Sequence, residues 1–348
     1  MKKFFILAGV ALCLALSGPA WAAGTLTVFI WSEYMDPEVI SDFEKKFDIK
    51  VRLDYYESNE EMVAKLDKGG GLGKYDLIVP STYFVPSLKN LNLIQPLDHA
   101  RLPNLKNIDP AFTTLEADPG NKYTVPYQWG TTGLAVRAKE ADSFKKSWGL
   151  LFDPAIKDHS FVIFDTARDA IGSALKYLGY SLNSTDPQEI EKAIALLAAA
   201  KKRPAFLGFD GGVGGLNKVL SGFATVAQVY SGEAIRAQEE DPEVHYILPE
   251  EGCEIWTDLV AIPQKAPNLN NAYAFINYLL EAEVGAKLAS YNRYATPNAA
   301  ALAFISEEDL NNPVMYPSPE ARKNMEYLQD LGAATRLYDE AWTMIKTQ

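Results

Sequence analysis

Apolar positions first collect in TLTVFI, Thr25 to Ile30, a run that predicts a buried strand and stops at Trp31-Ser32-Glu33-Tyr34. Behind it, Asp36 suits a helix N-cap and Pro37 the first helical position, and Val39, Ile40, Phe43 and Phe47 form one apolar stripe. Lys50 to Glu57 (KVRLDYYE) reads as a second strand. Ser58-Asn59-Glu60-Glu61 is a capping box opening the helix EEMVAKLDK, which Gly69, Gly70 and Gly71 stop. Tyr75 to Ser81 (YDLIVPS) is a third, buried strand that again runs into polar and aromatic residues, Ser81-Thr82-Tyr83. This β-α-β-α-β order predicts a parallel sheet, and such sheets bind ligands at the carboxyl ends of their strands.

A second set of elements follows YTVPYQWGTTGLAV. Ser160 to Asp165 predicts a strand, TARDAIGSALKYLGY a helix, and TDPQEIEKAIALLAAAKK a longer helix started by Asp186-Pro187. Ala224 to Tyr230 and Glu254 to Pro263 predict two more strands, and NNAYAFINYLLEAEVGAKLASY one long amphipathic helix. The fold class expected is α/β, with two lobes, the late helix returning to the first. A cleft between lobes is a preferred place for a small-molecule site.

Composition narrows the chemistry. Lys2-Lys3, the apolar run Phe4 to Leu16 and the break at Ser17-Gly18-Pro19 resemble an export leader, with Ala20-Trp21-Ala22 fitting cleavage before Ala23. Residues 1–22 are therefore expected to be a signal peptide, and the destination a periplasm-like compartment. Cys13 would leave with it, so Cys253 would stand alone, without an intramolecular disulfide and buried as a small hydrophobe. The remainder is longer than one core usually holds, which predicts two domains. A formal charge of −12 argues against nucleic acid as a partner and favours a cationic ligand. His99, His159 and His245 are isolated from one another, so neither a metal cluster nor a histidine triad is expected. GGGLGKYD has Lys68 where a phosphate loop needs its first Gly, and precedes a strand; GGVGG, Gly211 to Gly215, reads as a loop.

What remains is a recurrence of aromatic and acidic residues at strand ends. Trp31 and Glu33 lie two apart, as do Trp256 and Asp258, and in extended chain that spacing places both side chains on one face. Tyr34, Tyr83, Tyr230 and Tyr294 sit at comparable ends or turns. Asp169 also has a structural reading, in the capping-box-like start Thr166-Ala167-Arg168-Asp169. Asp258 precedes an apolar run and needs a partner. Rings with carboxylates fit a long, multiply charged cation: methylenes stack on the rings, while ammonium groups gain cation–π attraction and charge-assisted hydrogen bonds. A sugar also stacks on tryptophan, and a carboxylate pair could hydrolyse it, so a glycosidase is a rival on composition alone.

WSEY at 31–34, YESNEEMVAKL at 56–66, YDLIVPSTYFV at 75–85, PYQWGTTGLAV at 126–136, EIWTDLVAIP at 254–263 and YATPNAAA at 294–301 resemble the periplasmic spermidine/putrescine-binding proteins of ABC-type uptake systems. The resemblance covers nearly the whole chain after residue 22. It implies a type II periplasmic-binding-protein fold, two discontinuous α/β lobes closing by hinge motion over one polyamine, and delivery to a permease driven by an ATPase. The lobes are expected at 23–133 with 259–302, and at 134–258 with 303–348. By position, Trp31, Tyr34, Trp256 and Tyr294 match the family's aromatic positions, and Tyr230 stands for a Trp. Glu33, Asp169 and Asp258 match acidic positions, Ser32 replaces a Thr, and Ser81 and Tyr83 match polar ones. Two positions depart: Thr166 stands for a fourth acid, next to Asp165, and Leu328 for a Gln that a one-residue slip would supply as Gln329. A polyamine therefore follows from the resemblance, but not spermidine over putrescine. A monomer without cofactor or metal suits the role, and binders of sugar or ferric ion remain the alternatives.

Overall fold

The computed structural model describes residues 24–347 except 69, 141, 142 and 158. The expected leader, residues 1–22, lies outside them. Among the described residues nine strands form one curled sheet: β1 (Gly24–Trp31), β2 (Ile49–Tyr56), β3 (Leu77–Ile78), β4 (Thr124–Arg137), β5 (Phe161–Phe164), β6 (Phe206–Asp210), β7 (Val226–Tyr230), β8 (Val244–Ile247) and β9 (Ile255–Ala261). Their order is β2-β1-β3-β9-β4-β7-β5-β6, with β8 also paired to β4. β1 runs parallel to β2 and β3, as the β-α-β-α-β order requires, and β9 lies antiparallel between β3 and β4.

The 14-residue strand β4 joins two α/β lobes. Its first half, Thr124 to Thr131, pairs with β9, and its second half, from Thr132 on, pairs with β7 and β8. One core gathers Leu26, Val39, Phe43, Leu77, Ile262 and Phe275; another gathers Leu134, Trp148, Phe161, Ile171, Leu197 and Tyr338. The helix Thr335–Thr347 reaches the second core through Tyr338, Ala341 and Ile345.

Local chemistry explains the element starts. Asp36 accepts the Glu38 N–H at 2.7 Å, Pro37 opens the helix Pro37–Phe47, and Val39 and Phe43 point into the core. Ser58 accepts from Glu61 N at 3.2 Å and caps the helix Asn59–Asp67. Three expectations change. The long helix over 270–291 is two, Leu269–Leu279 and Ala282–Asn292, because Glu281 takes extended backbone (φ −63°, ψ 138°) between them. GGVGG is largely helical, the helix Gly212–Leu220 starting inside it. Thr166 does not cap the helix Ala167–Tyr177 with its side chain: its hydroxyl donates to Asp169 Oδ2 at 2.5 Å instead.

Candidate functional site

The strand ends converge on one cavity of about 350 Å³ between the lobes. Trp31, Ser32 and Tyr34 come from the end of β1, and Ser81 and Tyr83 from the turn after β3. Thr166 and Asp169 open the helix after β5, Tyr230 ends β7, Trp256 and Asp258 lie on β9, and Tyr294 follows the helix Ala282–Asn292. Eleven of the twelve residues singled out from sequence line this cavity. Glu33 is the exception. Its φ is +55°, so the chain turns after Trp31 and the strand alternation that would have placed both side chains on one face ends there. Its side chain is exposed.

Four rings form a connected wall. Tyr34 meets Tyr294 edge-on at 5.7 Å, Tyr294 meets Trp256 at 4.9 Å, and Trp256 meets Tyr230 at 5.9 Å. T-shaped contacts of this kind lock ring orientation while leaving faces available. Two glycines permit the packing. Gly130 is opposite Trp256 across the β4–β9 pair, and a Cβ there would fall 2.6 Å from the indole. A Cβ on Gly232 would fall 2.5 Å from the Tyr294 ring. Trp31 is held separately, donating Nε1–H to Val79 O at 2.9 Å and packing on Tyr56 at 4.6 Å. Trp256 Nε1 is buried without a hydrogen-bond partner among the described residues, although its side chain lines the cavity.

Carboxyls face this wall. Asp258 is buried, accepts from Ser81 Oγ at 2.7 Å, and lies beside the Tyr34 hydroxyl. Burial pushes its pKa up to about 6, although those two hydroxyls favour the anion. Asn59 braces Ser81, accepting from its N–H at 3.1 Å and donating Nδ2–H to its hydroxyl at 3.3 Å. Asp169 lies within hydrogen-bond distance of Glu254, a buried carboxyl at the start of β9 that also lines the cavity. Burial raises both, Glu254 the more because Asp169 adds its charge, whereas Thr166 and Arg168 favour the Asp169 anion. Of the two, the Glu254 carboxyl is the more disfavoured as an anion.

Glu57, Glu60, Asp165 and Asp339 complete the acidic lining, with Asp165 paired to Lys346 at 2.6 Å and Ser32 donating to Glu57 at 2.5 Å. Among the described residues Arg168 is the only Lys or Arg in the lining; its terminal nitrogens donate to Gln329 O and Asn183 Oδ1, both at 2.9 Å.

The one-residue slip does not bring Gln329 into the cavity: its amide reaches Glu116 at 3.4 Å in a separate cleft, and Leu328 is buried beside it. Sequence reasoning passes over Glu254, as it does Glu57, Glu60, Arg168 and Asp339. The signal was present, since Glu254, Trp256 and Asp258 share one parity along β9 and hence one face. The three histidines each bond a backbone carbonyl, of Asn121, Leu150 and Ala138, and no cluster of His, Cys, Asp and Glu among the described residues is arranged to hold a metal.

The sequence profile of the bacterial extracellular solute-binding proteins matches residues 38–316. The chain belongs to that family. It is 37% identical over 350 residues, covering 99% of both chains, to the spermidine/putrescine-binding periplasmic protein of Escherichia coli K12. It is 35% identical over 369 residues, covering 100% of this chain and 99% of the other, to the putrescine-binding periplasmic protein SpuD of Pseudomonas aeruginosa. The solved structure of the spermidine/putrescine ABC transporter substrate-binding protein PotD from Streptococcus pneumoniae superposes with a TM-score of 0.79 at 32% identity, over 93% of this chain and 99% of that one. The fold is thus the type II periplasmic-binding-protein fold, as expected from the sequence.

Proposed function

We propose that this solute-binding protein captures a polyamine, putrescine or spermidine, in the periplasm and delivers it to an ABC-type permease driven by an ATPase. The observation that carries this reading is one cavity that combines a four-ring wall with the buried carboxyls of Asp258, Asp169 and Glu254 and a single cationic side chain. Apolar methylenes need the rings, and protonated amines need the carboxyls. A ferric site would use oxygen ligands in a compact cluster and leave the indoles without a role. A sugar would not offset the charge of the buried acids.

The names of the relatives point the same way, being those of spermidine/putrescine and putrescine binders. The residues proposed to touch the ligand are Trp31, Ser32, Tyr34, Ser81, Tyr83, Thr166, Asp169, Tyr230, Trp256, Asp258 and Tyr294; Glu33 would join them only if its turn rearranges. A binding protein returns its cargo unchanged, and a monomer suffices for that role. Calorimetric titration with putrescine, cadaverine, spermidine and spermine is expected to show one-site binding of at least one of them. Heat from none of the four overturns the polyamine reading, and a glycan degraded on incubation would replace it with a hydrolase.

A further inference from the structure

The acid that the resemblance leads one to expect at position 166 is a threonine here, and the structure supplies an anion beside it from another strand. Glu254 stands immediately before β9, is 9% exposed and lines the cavity. Thr132 donates its hydroxyl to Glu254 Oε2 at 2.9 Å, which orients the carboxyl towards Asp169. Thr166, in the vacated acidic position, donates to the far side of the pair, at Asp169 Oδ2. Two hydroxyls thus flank two buried carboxyls, and burial together with their mutual charge disfavours ionising both.

We propose that Glu254 is a specificity-determining ligand residue, forming with Asp169 a carboxyl pair that exchanges its shared proton for one terminal ammonium group of a triamine. The inference rests on the polyamine reading and deepens it. The exchange balances: the ammonium arrives with its own charge and protons, the proton between Asp169 and Glu254 leaves to the buffer, and the bound pair holds two negative charges against the ligand. Other groups that face the pair do not substitute for that cation. Arg168, on the helix that carries Asp169, favours both anions through its charge, but its terminal nitrogens are engaged by Gln329 and Asn183 and not by the pair. Glu60, from the helix after β2, adds negative charge near Asp169. The phenols of the half-buried Tyr83, Tyr230 and Tyr246 and the thiol of buried Cys253 are pushed up by desolvation and stay neutral at physiological pH. Lys176 is tied to Glu326 at 2.7 Å.

Spacing supplies the selectivity. Glu254 and Asp258 are four residues apart along extended chain, roughly 13 Å. The terminal nitrogens of extended spermidine lie about 11 Å apart and those of putrescine about 6 Å, taking about 1.25 Å of advance per single bond of about 1.5 Å. A triamine reaches both anionic points, while a diamine reaches one.

The test is calorimetry of the full mature chain with spermidine and with putrescine, at pH 7.5, in two buffers of different ionisation enthalpy. Spermidine binding is expected to release a fraction of a proton approaching one, and its affinity to fall as the pH is lowered towards 5. Glu254→Gln, which keeps the side-chain shape and mimics the protonated acid, is expected to weaken spermidine by about 10- to 100-fold, the effect of a lost charged hydrogen bond. The same variant should abolish proton release and change putrescine affinity far less. Wild-type protein that binds spermidine without releasing a proton overturns the exchange, whatever the variant does. Unchanged spermidine affinity in Glu254→Gln overturns the role of Glu254 while leaving the polyamine reading standing; failure of every amine to bind ends both.

Discussion

Asp258 shows how a residue proposed to bind ligand can work against the ligand-free fold. Its carboxyl is buried against the hydroxyls of Ser81 and Tyr34, and its pKa rises from an ordinary 3.8 to about 6. A carboxyl that holds its proton more tightly when folded contributes stability below the unfolded pKa and loses it as pH rises through the folded one. Between pH 4 and pH 6 the cost grows to about 3 kcal/mol, following from about 1.4 kcal/mol for each tenfold difference in proton affinity. Asp258→Asn removes the charge and keeps an acceptor for Ser81. It is expected to stabilise the ligand-free protein by about 1–3 kcal/mol at pH 7 and by much less at pH 4, and to weaken polyamine binding by about 1–3 kcal/mol. Urea unfolding at the two pH values and a titration with ligand check both halves; a variant equally stable at pH 7 and unchanged in affinity would show that Asp258 meets neither cost nor ligand.

At the scale of elements, alternation decided what the sequence could reveal. Trp256 and Asp258 were legible because β9 is regular, and the same regularity carries Glu254. Glu33 was not, because a left-handed residue directly after β1 cancels the parity rule and nothing in Trp31-Ser32-Glu33-Tyr34 announces it. The break at Glu281 was hidden for a similar reason: apolar periodicity continues across it, while the interruption depends on how two helices meet the first core. Gly130 is where pairing becomes function. Sitting on β4 directly opposite Trp256, it leaves room for an indole that a methyl group would push into the cleft. Gly130→Ala is expected to destabilise by about 1–3 kcal/mol through overpacking and to weaken binding at least tenfold, since the displaced ring occupies ligand space. Thermal denaturation and titration separate these effects, and wild-type affinity in a folded variant would remove Trp256 from the wall.

For the whole molecule, charge and connectivity act together. β4 carries the chain from one set of partners to the other within a few residues, so rotation near Thr131 and Thr132 would move one lobe against the other with little repacking of either core. The cleft faces are both acidic. Glu57, Glu60 and Asp258 come from one side, and Asp169 and Asp339 from the other, with Arg168 the one cationic side chain in the lining among the described residues. Like charges across a low-dielectric gap repel, so the empty molecule should favour separation of its lobes, and a multiply charged cation should remove that repulsion while bridging both faces. Closure is then expected to depend on neutralisation more than on shape. Small-angle scattering at pH 7.5 should show a smaller radius of gyration with saturating spermidine than without. Because Asp258 and the Asp169–Glu254 pair hold protons more tightly than ordinary carboxyls, lowering the pH of the ligand-free protein from 7.5 to 5 should produce part of the same compaction. Profiles that respond to ligand and not to pH would assign closure to the direct contacts of the bridging amine, and profiles that respond to neither would show that β4 does not act as a hinge.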